Sequence, residues 1–581
     1  MYLDDMPKFR IGTDDFKKLR DQKGYFVDKS LLIKEIIEGS DVILIPRPRR
    51  FGKTLNMTML RYFFEKTEIS NAYLFEGLNI AKYPEYMSHL GQYPVISISL
   101  KDFKRDSYES FLKAVRTEMS RLYSSFPDLV FSLDNGRKER FLRICREEAD
   151  VDDLYGSLKE IILYCYQYYQ KPAIVIIDEY DAPMIEAWTN GYYDDISRFM
   201  RFWLGGGLKH DNAQALYRAV VTGILRVAKE SIFSELNNLD VSTTLTPCTL
   251  SSLFGFTEKE VEKILQDFHL PDCIAMIREW YNGYIFGKET IYNPWSVSQF
   301  VHKYPAIPAP HWLNTSTNSL IYKELQAGGP EIKHDLEQLL SGQILRYPLS
   351  ETITFKDIGI SPANIWSFLY FSGYLCADDP QSDIRGRSAY RLSIPNKEIG
   401  FAYETFVERT YPTKQGGLDA LMDWFINAKP AQELQDLLQD IVLNLVSVHD
   451  LAKLPEAVFH AFVLGLLANL RVVYEIRSNA ETGYGRADII MIPKNSRYPV
   501  AYLIEFKSIG QEKDMEQACV HALAQIHTNN YSAAVQNTGI SPDLVRNLAI
   551  ILQGKRVMVG EEGLDKAHMT SSPEDLSSSG I

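Results

Sequence analysis

Cysteine is scarce in this chain, six among 581 residues, and none pairs as Cys-x-x-Cys or stands at zinc spacing from a histidine. That excludes a disulfide-stapled scaffold and a structural zinc, and it fits reduced thiols in a cytoplasmic protein. Long apolar runs are missing too. The longest, such as Ala173 to Ile177 and Phe462 to Leu467, fall far short of the roughly 20 residues that cross a bilayer. The opening Met1-Tyr2-Leu3-Asp4-Asp5-Met6 has neither the basic nor the apolar region of a secretory signal, so no membrane partner is expected. Positive charge is in short supply, with 62 Lys plus Arg against 75 Asp plus Glu and a formal charge of -13. Coating nucleic acid through bulk positive charge is thereby excluded, whereas a local basic channel is not.

What is present is globular. Apolar residues make up 45% and charged residues 24% of the chain, which sets a folded protein as the default. A length of 581 residues exceeds what one hydrophobic core serves, so about two to four domains are expected. Val42 to Ile45 reads as a buried strand, and Thr54 to Phe64 as the helix after it, with Leu55, Met59, Tyr62 and Phe63 at helical spacing. Val95 to Leu100, Ala173 to Ile177 and Leu216 to Val221 are further strands separated by helical stretches, the pattern of a largely parallel sheet covered on both faces. After Phe254 the texture turns helical, starting with a Thr257 cap and Glu260 three residues on.

Pro305 to Pro310 reads as a linker, because proline disfavours continued helix and sheet. Residues 311–440 read as mainly helical, with strands at Tyr374 to Cys376 and Ala389 to Ile394. An amphipathic helix from Glu456 to Leu470, strands at Tyr474 to Ile476, Arg486 to Ile492 and Val500 to Phe506, and a helix from Met515 to Ile526 give an α-β-β-β-α order. The expected division is an α/β domain over 1–245, a helical lid over 246–303, a mainly helical middle region over 304–440, a second α/β domain over 441–560 and a disordered serine-rich tail over 561–581.

Between the first strand and helix stands Arg47-Pro48-Arg49-Arg50-Phe51-Gly52-Lys53-Thr54. A phosphate-binding loop needs glycine for close backbone approach, lysine for the β and γ groups, and Ser or Thr for magnesium. Gly52, Lys53 and Thr54 supply these, but Arg47 replaces the usual first glycine, so a plain strand-to-helix turn fits the half motif equally. Asp178 ends an apolar strand, where it either orients the water shell of magnesium or caps a helix, and Glu179 beside it can polarise an attacking water. Thr222 either faces the γ-phosphate or simply ends its strand.

Tyr25-Phe26-Val27-Asp28-Lys29-Ser30, the loop Arg47 to Thr54, and Thr222-Gly223-Ile224 followed by Ser234 to Leu239 resemble the AAA-ATPase-like family of bacterial proteins over about residues 7–240. The replaced first glycine is usual in that family. The resemblance implies a P-loop NTPase domain that binds ATP through Arg50, Phe51, Gly52, Lys53, Thr54, Asp178 and Thr222, with Mg2+ on Thr54 and Asp178. It leaves the rate of turnover open. Related modules form oligomers that present an arginine to a neighbour's γ-phosphate; Arg226 is either such a group in a homo-oligomer or a surface charge. Trp280-Tyr281-Asn282-Gly283-Tyr284 and Tyr292-Asn293-Pro294-Trp295-Ser296 also resemble this family, their Asn-Gly and Asn-Pro marking turns and their aromatics core packing.

Near the other end, Asp488 begins the strand Ile489 to Ile492, and Glu505 lies late in the strand that follows a short loop. An antiparallel hairpin would bring both carboxylates to one end, with Glu505 and Lys507 on one face and Phe506 on the other. Hard oxygens of this kind suit magnesium or manganese, and Lys507 could then orient a water or stabilise charge on a phosphate. A solvent salt bridge at a hairpin end fits the same pattern. With its flanking helices the region resembles the PD-(D/E)xK nuclease superfamily, which has a restriction-endonuclease-like α/β fold. The resemblance matches Asp488, Glu505 and Lys507 to the core, Glu456 to the helical acid and metal ligand, and Gln525 to the downstream glutamine; Ala487 replaces the core proline. His460 is a ligand or a core histidine, and Arg477 and Arg486 are phosphate contacts or surface charges. The expectation is an ATP-binding module joined to a metal-dependent nuclease acting on DNA. The alternative is a nucleotide-dependent signalling or scaffold protein whose nuclease-like domain binds without cleaving.

Overall fold

The computed structural model describes residues 8–209, 214–226, 236–305, 308–312, 344–352, 361–382, 388–410, 417–445, 473–482, 485–495, 497–510, 514–528, 539–554 and 556–562, with positions 325, 332, 335, 336, 338, 339, 470 and 535. The chain divides into two units, residues 1–329 with 344–400, and 330–343 with 401–581.

β1 (Val42–Pro46), β2 (Val95–Ser99) and β3 (Ala173–Asp178) are rich in valine and isoleucine, and every residue of β1 and β3 is buried, as strands covered on both faces must be. With β4 (Leu216–Gly223) and β5 (Leu239–Val241) they form a parallel sheet in the order β2-β3-β4-β1-β5. The register pairs Ile45 with Thr222 and Ile177 with Val221, so the loop after Pro46, Asp178 and Thr222 all emerge at the carboxyl edge of the sheet. Ligands of open α/β sheets bind at that edge. The helix Lys53–Phe64 buries Met57, Leu60, Phe63 and Phe64 in a core shared with Ile43, Ile45, Ile174 and Ile176.

Downstream, the expected helix Glu258–Asp267 is present and opens with the reciprocal Thr257 and Glu260 capping box. The region also holds an antiparallel sheet of β6 (Phe256–Thr257), β7 (Tyr284–Phe286) and β8 (Glu289–Tyr292), in the order β6-β8-β7. Strands this short carry too few alternations to show in sequence. Tyr281, Tyr284 and Tyr292 are buried, in keeping with a packing role. In the middle region β11 (Ser388–Ser393) falls where the second strand was expected, while β10 (Cys376–Ser382) shares only Cys376 with the expected Tyr374 to Cys376, and β9 (Leu345–Pro348), read as helical, joins them in the order β10-β11-β9. The stretch expected as a linker is packed where described: Ala309 exchanges hydrogen bonds with the Tyr281 hydroxyl, and Trp312 is buried. Aromatic side chains from both neighbouring segments, rather than proline content, decide its state.

In the second unit β12 (Tyr474–Thr482), β13 (Gly485–Pro493), β14 (Ala501–Ser508), β15 (Val545–Gln553) and β16 (Arg556–Glu562) form a sheet in chain order, parallel only between β14 and β15. A parallel neighbour requires a crossover, and the helix Met515–Thr528 lies within it, packing Leu523 and Ile526 on Ile490 and Leu503. The opposite face packs Ile489, Met491, Ile504 and Phe506 on Trp424, Phe425 and Leu438 from the helices Gly417–Ile426 and Ala431–Leu445. The β-β-β-α order is as read; β15 and β16 extend it. The helix expected from Glu456, and residues 563–581 of the expected tail, lie outside the described residues.

Candidate active sites

The loop between β1 and the helix Lys53–Phe64 is shaped by two left-handed residues, Arg50 at φ 65° and Gly52 at φ 81°. Lys53 begins the helix with a buried side chain whose Nζ donates to the carbonyls of Arg47 (2.9 Å) and Pro48 (2.8 Å). Burial lowers its pKa, and Asp178, Glu179 and Asp181 oppose that shift. Asp178 joins three elements: its Oδ2 accepts from the Thr54 hydroxyl at 2.7 Å and its Oδ1 from the Thr222 hydroxyl at 2.6 Å. The helix Ala182–Asn190 starts after Asp181 and has no side-chain cap, so Asp178 does not serve as one.

Glu179 takes a left-handed φ of 54°, uncommon for a residue with a Cβ. Asp181, which sequence reading did not select, is buried and accepts from the backbone N–H groups of Ile224 and Leu225, each at 2.8 Å. Burial raises its pKa, against the pull of those two donors and Lys53. The only sequence sign was its place in Asp178-Glu179-Tyr180-Asp181.

Arg47, in place of a glycine, is fully buried behind the loop. Its guanidinium donates to the carbonyls of Pro46 (2.8 Å) and Ser242 (2.6 Å) and lies 5.3 Å and 5.5 Å from the ring centres of Phe254 and Phe286. Burial pushes its pKa down to about 10. Phe51 packs edge-on against Tyr284 at 4.9 Å. A cavity of about 480 Å³ opens before the loop, and its lining includes Arg49, Lys53, Thr54 and Glu179 together with Ile11 and Tyr25. That size suits a small-molecule ligand. Arg226 pairs within its own chain, its Nη1 lying 3.7 Å from Glu351 Oε2.

In the second unit Ile489 pairs with Ile504, and one step further along the same antiparallel register brings Asp488 opposite Glu505. Asp488 Oδ2 accepts from the Phe506 backbone N–H at 2.8 Å, and Lys507 Nζ donates to Glu505 Oε1 at 2.9 Å. Glu505 is buried, and a quarter of the Lys507 side chain is exposed. Both carboxylates lie on the sheet face of Ile490 and Leu503, covered by the helix that carries half-buried Gln525. Phe506 faces the other way, into the core beside Trp424.

Glu456 and His460 lie outside the described residues, as does the side chain of Arg486. Arg477 is exposed and donates to Glu475 Oε1 at 2.8 Å, as a surface charge does. Among the described residues no three His, Cys, Asp or Glu side chains are grouped as a metal site. What Asp488 and Glu505 offer is two hard-oxygen groups on adjacent strands, a donor set that fits magnesium or manganese. Among the described residues no helix is long and apolar enough to cross a membrane.

Comparison with known proteins agrees with this division. Residues 10–233 match the family described as predicted AAA-ATPase, and residues 454–562 match the PD-(D/E)XK nuclease superfamily. An uncharacterized protein in the vnfD 5'region of Azotobacter chroococcum mcd 1 is 26% identical over 397 residues, 68% of each chain. Two solved structures align more loosely. One is a Signal Transduction ATPase with Numerous Domains carrying a tetratricopeptide repeat sensor from Pyrococcus horikoshii, at 10% identity over 81% of this chain and 54% of that one, with a TM-score of 0.23. The other is the Aeropyrum pernix ORC2 protein, at 11% identity over 70% and 97%, with a TM-score of 0.22. The chain thus joins an AAA-ATPase-like domain to a C-terminal domain of the PD-(D/E)XK nuclease superfamily.

Proposed function

We propose that the first unit binds and hydrolyses ATP, that the second cuts DNA by metal-assisted phosphodiester hydrolysis, and that nucleotide state governs the cutting. The observation that carries the first part is Asp178, which accepts from both Thr54 and Thr222 and so ties the phosphate loop to two neighbouring strands. Lys53 would exchange the Arg47 and Pro48 carbonyls for the β- and γ-phosphates, while Arg50, Phe51 and Gly52 shape the loop. Thr54 and Asp178 would hold magnesium, which supplies charge neutralisation between the β- and γ-phosphates. Glu179, in the lining of the cavity, would accept the proton of the attacking water.

At the second site Asp488 and Glu505, with Glu456, would hold Mg2+ or Mn2+, which lowers the pKa of a bound water and offsets phosphate charge. Lys507 would orient that water or stabilise the developing charge, and Gln525 would position the strand or the phosphate. Homo-oligomer formation is compatible with this reading. The test is full-length protein incubated with plasmid, linear and single-stranded DNA, with Mg2+ or Mn2+, with and without ATP. Cleavage that disappears in Glu505→Ala and Lys507→Ala proteins is expected; cleavage that survives both substitutions contradicts the assignment.

A further inference from the structure

The phosphate loop is held by residues far along the chain. The Trp312 indole N–H donates to the Arg49 carbonyl at 3.3 Å. The Arg50 guanidinium lies 4.1 Å from the Trp295 ring centre and donates to the His311 carbonyl at 2.9 Å, which also accepts from the Trp295 indole N–H at 3.2 Å. Gly373, at φ 89°, lies so close to the loop that a side chain there would bring its Cβ within 3.0 Å of Pro48 Cβ.

These anchors share one node. Glu398 is fully buried, and its carboxyl accepts from the Ser296 hydroxyl at 2.7 Å and from the Trp312 backbone N–H at 2.7 Å. Trp295 and Ser296 open the helix Pro294–Lys303, where the Asn293 side chain accepts from both of their backbone N–H groups. A buried carboxyl costs stability unless donors satisfy it, and here the donors belong to the two segments that grip the loop. Glu398 stands in the first turn of the helix Lys397–Thr410. That helix carries the chain past Gly400, the last residue of the first unit, into the second.

We propose that Glu398 is a positioning residue that passes nucleotide occupancy from the phosphate loop to the helix Lys397–Thr410, and so along the chain to the second unit. This rests on the ATP-binding part of the reading above and names the route by which nucleotide state governs cutting. A ligand shifts a conformation only through contacts that differ between its states. The difference here is the exchange at Lys53, whose Nζ donates to the Arg47 and Pro48 carbonyls. Drawing Lys53 to the phosphates releases both carbonyls, and the stretch from Arg47 to Arg50 resettles. Trp312, His311 and Trp295 are bonded to that stretch, so they move with it. Glu398 collects the displacement of Trp312 and of Ser296, the residue after Trp295, and carries it into the first turn of its helix.

The experiment measures amide hydrogen exchange of the full chain with Mg2+, with and without the non-hydrolysable β,γ-imido analogue of ATP at a concentration that saturates each protein. In wild type the analogue should slow exchange within Lys397–Thr410 by roughly fivefold or more. Trp312→Phe keeps a ring but loses the indole donor, and Glu398→Ala loses the acceptor; each should bind the analogue yet lose that response in the helix. Glu398→Gln keeps an acceptor oxygen and should retain it. A role in packing alone predicts faster exchange in the variants with the ratio between the bound and free states unchanged. Trp312→Phe decides the matter if Glu398→Ala does not fold. An unchanged ratio in Trp312→Phe, a lost response in Glu398→Gln, or a wild-type helix indifferent to bound analogue overturns the inference and leaves ATP binding standing. Wild type that binds neither ATP nor the analogue overturns both.

Discussion

The two candidate sites are assembled over very different lengths of chain. At the first, Thr54 and Asp178 are 124 residues apart and Asp178 and Thr222 are 44 apart, brought together only because β4 lies between β1 and β3. At the second, Asp488 and Phe506 are 18 residues apart and meet through the register of one antiparallel pair. A parallel site thus depends on the whole sheet order, a hairpin site on local alternation. Damage at the first should therefore spread into the fold of its unit, whereas damage at the second should stay local.

The largest expected effects separate the two sites. Lys53→Ala should abolish ATP binding and hydrolysis, measured by nucleotide affinity and phosphate release. Glu505→Ala should abolish DNA cleavage with ATP turnover intact. If either substitution disables both activities in a protein that remains folded, the sites are not separable. A smaller effect tests the dependence on sheet order. Thr222→Val leaves Asp178 Oδ1 without its buried donor and should cost about 1 to 3 kcal/mol, read by denaturant unfolding. Asp488→Asn should cost less stability than that while still removing cleavage; equal losses would erase the contrast.

Glu398 sharpens the comparison through pH. It is buried in the first unit, where it accepts from the Ser296 hydroxyl at 2.7 Å and the Trp312 N–H at 2.7 Å. Burial pushes its pKa from 4.5 up to about 7, against the pull of these donors and Arg50. A raised carboxyl favours the folded state below the unfolded value of 4.5, and that contribution is lost as pH rises through about 7. The loss is on the order of 3 kcal/mol. Thermal unfolding of the full chain from pH 5 to 8 should show a decline that Glu398→Gln flattens; parallel pH profiles for the two proteins would contradict this. The smallest effect is expected at Arg477, an exposed pair with Glu475. Arg477→Ala should change stability by less than about 0.5 kcal/mol.

How much could be read in the sequence follows the same contrast. The hairpin residues were legible because alternation sets Glu505 and Lys507 on one face and Phe506 on the other, and a short antiparallel hairpin brings Asp488 to the same end as Glu505. Asp178 and Thr222 were visible as polar residues ending apolar strands, but whether they met depended on strand order. Arg47 was not legible. A buried arginine held by Ser242, Phe254 and Phe286 depends on partners about 200 residues away, and local pattern carries no sign of them. The strands β6 to β8 are too short to alternate visibly. The packing of Ala309 on the Tyr281 hydroxyl, which lies outside the proline stretch, likewise overrode the proline signal.

The central claim is that one chain couples a nucleotide site to a DNA-cutting site. Its most direct test is magnesium-dependent cleavage of a defined DNA by wild-type, Lys53→Ala and Glu505→Ala proteins at matched concentration, each with and without ATP. Wild type should cut at a rate that ATP changes, Lys53→Ala should cut at a rate that ATP does not change, and Glu505→Ala should not cut. Cutting by Glu505→Ala, or an equal response to ATP in wild type and Lys53→Ala, would contradict the account.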